Sequence, residues 1–241
     1  MDGITIVAAY YEQPLMMKEW WNVLRDYDEI SDHVALRLCD DHSKEHPLTV
    51  PDDIKAAFDI QTFRLREDKP WQEMRCRNLC MKHVGSWAML LDPDYMVNAE
   101  EMSKLLEMPK KQRNTYQPQP RNVENGKLLH RPGNLYLVHS ADFWAAGGYD
   151  EIFAGGYGFS DAVFWRCVDR VAKVEQHLLD DIFMDHYPMG GAIKDAPSPG
   201  IRDIKRNRPI FEQVIQDMRQ YGDSGYISRR KQFEYDWERV V

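Results

Sequence analysis

The chain has 241 residues, 43% of them hydrophobic, and a formal net charge of −8. That length and apolar content can bury a substantial core, which excludes a chain disordered throughout and leaves room for one large domain or a domain with a tail. The charge opposes bulk attraction to nucleic acid, no apolar run nears the roughly 20 residues that span a bilayer, and the start lacks the basic and apolar parts of a secretion signal. A cytoplasmic protein without a membrane span is the expectation.

Ile4–Ala9 reads as a buried strand ending at Tyr10-Tyr11. Pro14 can open a helix whose core stripe is Met16, Trp20, Val23, Leu24 and Tyr27. Val34–Cys39 reads as a second strand, ending at Asp40-Asp41-His42-Ser43. Residues 71–84 return to helical spacing through Cys76, Leu79, Cys80, His83 and Val84 and lead into the apolar strand Trp87–Leu91. Cys39, Cys76, Cys80 and Cys167 show neither a Cys-x-x-Cys pair nor zinc spacing, so packed, reduced thiols are expected.

The strand at 87–91 stops at Asp92-Pro93-Asp94. In extended chain, side chains at i and i+2 share a side, so both carboxylates can face one hard divalent ion. A turn with Pro93 fixing φ reads the same residues without a ligand. Asn98, with Glu101 three residues on, predicts a short helix to about Glu107. Lys110–Arg121 is polar and proline-containing and reads as a loop, after which Asn134–His139 resumes strand character.

A glycine-dense stretch from Gly147 runs into an amphipathic segment through Arg166. Val174–Pro188 reads as two short strands around Asp180-Asp181, the second ending at Asp185-His186, and residues 190–200 read as a loop. A final helix is expected with Asn207 as its cap and Ile210, Phe211, Val214, Ile215 and Met218 on one face. Residues 190–241 carry a net +2 and residues 1–189 a net −10. The basic run Ile201–Arg208 reads as a solvated face, with a lid over phosphates or a patch for an anionic acceptor as the alternatives. Alternation of strand and helix predicts an α/β fold, a mostly parallel sheet with helices on both faces and a helical C-terminal extension. Ligands of such sheets bind beyond the carboxyl ends of the strands, where Tyr10, Asp41 and Asp92 gather.

The order Asp40-Asp41-x-Ser43, Arg77-Asn78, Asp92-x-Asp94, Gly147-Gly-Tyr-Asp-Glu151 and Ser160-Asp161-x-x-Phe164-x-x-Arg166 resembles the GT-A nucleotide-sugar glycosyltransferases. The likeness is greatest to the family 2 type with a galactosyltransferase-type C-terminal segment, and it spans about residues 4 to 187. It implies a GT-A (Rossmann-like) catalytic domain over residues 1–189, with a nucleotide-sugar half at about 1–108 and an acceptor half at 109–189, followed by an extension over 190–241. It also implies transfer of a sugar from a nucleotide diphosphate, a UDP-sugar first, with Mn2+ or Mg2+. The acceptor hydroxyl would belong to a saccharide, lipid-linked glycan, protein or modified nucleobase.

Under that resemblance Tyr10 stacks on the base, Asp41 accepts from it, and Arg77 and Asp92 reach the nucleotide-sugar. Asp92, Asp94 and His186 hold the metal, with Asp94 the direct ligand and Asp185 available to orient His186 or to bind the ion. Asp161 is the general base of an inverting displacement, although Ser160 stands where the family carries an acid. Ser160 also suits an N-cap, and Asp161 a first-turn acid whose pKa the helix dipole would lower. Trp144, Tyr157 and Phe159 are candidates to stack on the acceptor, and each suits a core equally. A nucleotidyltransferase would place a glycine- and basic-rich phosphate loop where Ala8-Ala-Tyr-Tyr11 stands. A non-catalytic sugar- or nucleotide-binding protein is the other alternative.

Overall fold

Alternate burial along the strands sets the architecture. In β1 (Ile4–Tyr10), Ile4, Ile6 and Ala8 enter one core and Val7 the other. The same two-sided pattern recurs in β2 (Val34–Asp40), where Leu36 and Leu38 oppose Cys39, and in β4 (Trp87–Leu91), where Met89 and Leu91 oppose Ala88 and Leu90. Strands apolar on both faces belong in the middle of a covered sheet. The chain is described by a computed structural model covering residues 3–188, 203–230 and 234–241.

Together with β3 (Asp59–Leu65), these strands form a parallel block ordered β4-β1-β2-β3 within a nine-stranded sheet. The first core is closed by α1 (Pro14–Arg25), α2 (Asp52–Ala57) and α4 (Ala99–Glu107). The second is closed by α3 (Glu73–Met81), α5 (Ser140–Ala145), α6 (Ser160–Cys167), α7 (Asn207–Tyr221) and α8 (Asp223–Arg229). The two-residue β5 (Tyr95–Met96), β6 (Asn114–Asn122), β7 (Tyr136–His139) and β8 (Glu175–His186) extend the sheet on one side, and β9 (Trp237–Arg239) covers the edge of β3 on the other. All four cysteines are buried free thiols. Among the described residues no helix is long and apolar enough to cross a membrane.

Three expectations are corrected. Residues 110–121 do not form a loop, because β6 occupies 114–122 and pairs with both β7 and β8. Its prolines are tolerated because the Pro120 carbonyl accepts from Leu129 N at 2.9 Å, which puts that residue's nitrogen, and that of Pro118 two residues earlier, on the side away from β8. Residues 174–188 hold one strand, not two; the break expected at Asp180-Asp181 is a bulge, where the register with β6 shifts from Pro118–Leu179 to Gln119–Phe183. Asn207 makes no cap and instead lies fully buried as the first residue of α7. The expectation of a loop at 190–200 falls on residues outside those described.

The helices brace the strand exits. Trp20, the centre of the α1 stripe, is fully buried and donates from its indole to the Pro93 carbonyl at 2.8 Å, tying α1 to the Asp92–Asp94 turn. Truncating such a side chain to alanine removes roughly 3–5 kcal/mol and would release that turn. Asn98 caps α4 as expected, its side chain accepting from Glu101 N at 3.1 Å.

Candidate active site

Register aligns the exits of the parallel strands. Tyr10 lies opposite Asp40, and Ala8 opposite Leu91, so Tyr10, Asp41 and Asp92 emerge at one edge of the sheet. There they border a cleft of about 640 Å3 whose walls also include Trp71, Glu73, Asp94, Asn134, Tyr157 and Asp161. Residues distant in sequence thus share one cavity at the carboxyl ends of the strands.

At the β2 exit the two acids divide. Asp40 accepts from Ser43 N at 2.7 Å and Leu48 N at 2.9 Å and so serves the turn. Asp41 faces the cleft while accepting from Gln72 N at 2.8 Å and Gln72 Nε2 at 2.9 Å. Burial pushes its carboxyl up to about 7, against the opposing pull of those two bonds. The Tyr10 hydroxyl is committed to the His46 carbonyl at 2.6 Å, which leaves its ring to the cleft.

Arg77 turns inward. Its side chain is only 2% exposed and binds Asp92, donates to the Tyr149 hydroxyl at 3.0 Å and lies 3.8 Å from Asp161. It therefore bridges the two acids and does not itself line the cleft. Asn78 beside it binds both backbone groups of Tyr149, donating to the carbonyl and accepting from the amide at 2.9 Å each. Two motifs whose bonded residues lie 71 apart are in this way one contact. It needs Gly148, with φ of 65°, because a Cβ there would stand 3.0 Å from Asn78 Oδ1.

Asp92 is engaged at both oxygens, by Arg77 and by Asn134. Burial pushes its carboxyl up, with Arg77 opposing. Asp94 is freer: among the described residues its carboxylate pairs with His186 Nε2 at 3.4 Å, while His186 Nδ1 is buried without a hydrogen-bond partner. β5 and β8 create that pairing by setting Tyr95 opposite His186. Asp185 does not orient His186, because it binds Arg121 at 2.6 Å and Asn98 at 3.1 Å. No three His, Cys, Asp or Glu side chains converge among the described residues. Asp94 and His186 thus offer a carboxylate and an imidazole whose remaining ion ligands would come from elsewhere.

Asp161 lies in the first turn of α6 and keeps 38% of its side chain open. Ser160 does not cap that helix; Phe159 takes the cap position with φ of 70°. Burial raises the Asp161 pKa, against the lowering effects of Arg77 and the Tyr149 hydroxyl, so the dipole does not decide its acidity. Tyr157 lines the cleft and packs on Trp71 with ring centres 4.9 Å apart. Trp144 packs on Phe143 and Phe159 stacks on Phe211, and neither borders the cleft.

Sequence reasoning missed Trp71, Glu73 and Asn134. Trp71 is held at φ of 55°, a conformation costly for a bulky residue, and its neighbour Gln72 is pinned by Asp41. Glu73 stands one turn before Arg77, and burial pushes its carboxyl up to about 8, with Arg77 opposing. The only sequence signal for Glu73 was its i, i+4 spacing from Arg77.

Similar solved structures match this architecture. The S. aureus TarS 1–349 structure in complex with UDP-GlcNAc superposes with a TM-score of 0.64 at 12% identity, over 81% of this chain and 61% of that one. GalNAc-T7 with UDP, GalNAc and Mn2+ gives 0.63 at 14% identity, over 91% and 50%. The fold is GT-A. A mannosyltransferase from Pyrobaculum calidifontis with GDP-Man and Mn2+ gives a TM-score of 0.52 at 10% identity, over 96% of this chain and 65% of that one. The GT-A chain described here therefore spans about half to two-thirds of the length of these neighbours. No protein-family model matches the sequence, and no curated protein matches it.

Proposed function

We propose that this GT-A protein is a metal-dependent glycosyltransferase that moves a sugar from a nucleoside diphosphate, with a UDP-sugar as first candidate, to an acceptor hydroxyl with inversion. One observation carries the reading. A single cleft at the strand exits brings together Asp41, Asp92 and Asp94 with Asp161 from the far half of the chain. The neighbours' ligands, UDP-GlcNAc, UDP and GDP-Man, support the donor class, and Mn2+ in two of them supports a divalent ion.

In this reading the Tyr10 ring and Asp41 take the base, residues of 1–108 hold the donor, and residues of 109–189 face the acceptor. Asp94 and His186 would hold Mn2+ or Mg2+, which when bound supplies positive charge against the departing diphosphate. Asp161 accepts the proton of the acceptor hydroxyl as that oxygen attacks the anomeric carbon and the bond to the diphosphate oxygen breaks. A carboxyl whose pKa is raised by burial is a stronger base than an ordinary one, which suits the task. Arg77 keeps Asp161 and Asp92 at a fixed separation, and Tyr157 with Trp71 offers an aromatic face to the acceptor.

The test is incubation with a panel of nucleotide sugars and Mn2+, measuring free nucleoside diphosphate and the anomeric configuration of the product. Diphosphate release with an inverted product is expected. Pyrophosphate release would indicate nucleotidyl transfer, a retained configuration would remove the base role from Asp161, and silence across the panel would favour a binding protein.

A further inference from the structure

The wall of the cleft that carries Tyr157 and Asp161 has little regular structure of its own. Between Phe153 and the start of α6 the chain makes turns through Gly155, Gly156 and Gly158, and its shape is imposed from behind. Asn207 is fully buried there. Its side-chain Nδ2 stands 2.7 Å from the carbonyl oxygen of Gly156, 3.1 Å from that of Phe153 and 3.2 Å from that of Gly158, its two hydrogens serving three acceptors with one shared between two of them, and its Oδ1 accepts from Arg206 at 2.6 Å. One amide thus gathers three carbonyls of a loop that offers them few other partners.

The fit leaves no room for side chains. A Cβ on Gly156 would meet Asn207 Oδ1 and Arg206 Cδ at 2.9 Å, and one on Gly155, where φ is 100°, would meet the Arg206 guanidinium at 3.1 Å. One turn further along α7, Phe211 stacks on Phe159 at 4.7 Å. Asn207 itself does not border the cleft, so any effect on chemistry passes through the loop.

We propose that Asn207 is a positioning residue, which through its three loop carbonyls sets where Tyr157 and Asp161 stand and makes the C-terminal extension an integral part of the site. The catalytic side of this inference rests on the glycosyl-transfer reading above. The mechanical side does not. Residues holding the donor lie on the β1, β2 and β4 exits, so loosening the loop should spare donor binding and slow turnover.

The experiment compares the parent, Asn207→Ala, Gly156→Ala and the double variant by amide hydrogen exchange and by steady-state kinetics. Gly156→Ala presses on the same contact from the loop side and keeps the test available if Asn207→Ala folds poorly. Exchange over residues 155–161 should accelerate about ten-fold or more in both variants while that of 87–91 stays unchanged. kcat should fall by about ten-fold or more with donor KM within about two-fold. The double variant should lose less than the two single losses combined, because removing the Asn207 amide relieves one of the new methyl's two close contacts, the other being Arg206 Cδ. Unchanged exchange at 155–161 would overturn the proposal, as would accelerated exchange with undiminished kcat or a loss confined to donor KM. A parent protein that turns over no donor would count against the proposed function, while the exchange measurement would still decide whether Asn207 holds the loop.

Discussion

Replacing Glu73 with Gln should stabilise the protein at alkaline pH. Glu73 sits in the wall of the cleft with Asp41, Asp92 and Asp161 around it and Arg77 one turn away, and burial outweighs Arg77 to bring its pKa from 4.5 to about 8. The folded protein keeps this proton to about pH 8, whereas the unfolded chain releases it near 4.5. Over that window the folded state binds more protons, so this group lowers stability progressively as pH rises through it. The full shift corresponds to at most about 5 kcal/mol. Glu73 retains contact with solvent in the cleft, and relaxation there reduces the expected gain of the Gln variant to about 1–2 kcal/mol above pH 8. Urea unfolding of both proteins at pH 4, 6 and 9 measures it. The advantage of Gln should be near zero at pH 4, grow by pH 6 and be largest at pH 9. A pH-independent difference, or a Gln variant less stable at pH 9, would show that Glu73 is ionised and paired with Arg77.

Asp94→Asn should abolish Mn2+-stimulated donor turnover and weaken Mn2+ binding by calorimetry, while changing stability by about 1 kcal/mol or less, since Asn is isosteric and the carboxylate's one ion pair among the described residues is with His186 at 3.4 Å. Turnover that persists in EDTA would contradict it. Asp161→Asn should lower kcat by roughly 10²-fold with donor affinity preserved. Its melting temperature should change little, because the side chain is 38% exposed and the Asn oxygen can still face Arg77 and the Tyr149 hydroxyl, and near-normal glycosylation would take the base role from it. Asp41→Ala leaves two donors of the fully buried Gln72 without their acceptor and should cost about 1–3 kcal/mol in denaturant unfolding as well as donor affinity. An unchanged unfolding midpoint would mean that Gln72 finds another partner.

What the sequence disclosed and what it concealed follow from the same physics. β1, β2, β4 and the stripe of α1 were legible because a central strand or an amphipathic helix writes its burial as a periodic apolar pattern. β3 was not, since Asp59, Gln61 and Arg64 interrupt its apolar positions, and β6 was hidden by prolines that only the placement of its neighbours makes harmless. Helix α3 is buried almost all round, so Arg75, Arg77 and Asn78, which a pattern would assign to solvent, lie in the interior. That is why Arg77 read as a grip on phosphate and is found bridging acids. The acids at the strand exits were readable because exits of parallel strands share an edge. Trp71, Glu73 and Asn207 depend on loops meeting across the fold, for which the sequence carries no period.

Arg77 explains how so many acids share one cleft. A buried guanidinium that lost its partners would be destabilising by about 3–5 kcal/mol. Here it binds Asp92 and stands beside Asp161, while the Tyr149 hydroxyl takes a further donor and passes contact to Tyr136 at 3.1 Å. With Glu73 protonated at neutral pH, Asp92, Asp94 and Asp161 against Arg77 leave two negative charges uncompensated when all three are ionised, and Asp41, whose carboxyl burial pushes up to about 7, adds up to one more. A divalent cation would offset most of that charge. Ionising Glu73 above pH 8 adds a further negative charge beside the place proposed for a diphosphate, so donor affinity should weaken there in the parent and hold in Glu73→Gln. A parent whose donor affinity does not change between pH 7 and 9, measured by calorimetry, would refute that placement of Glu73.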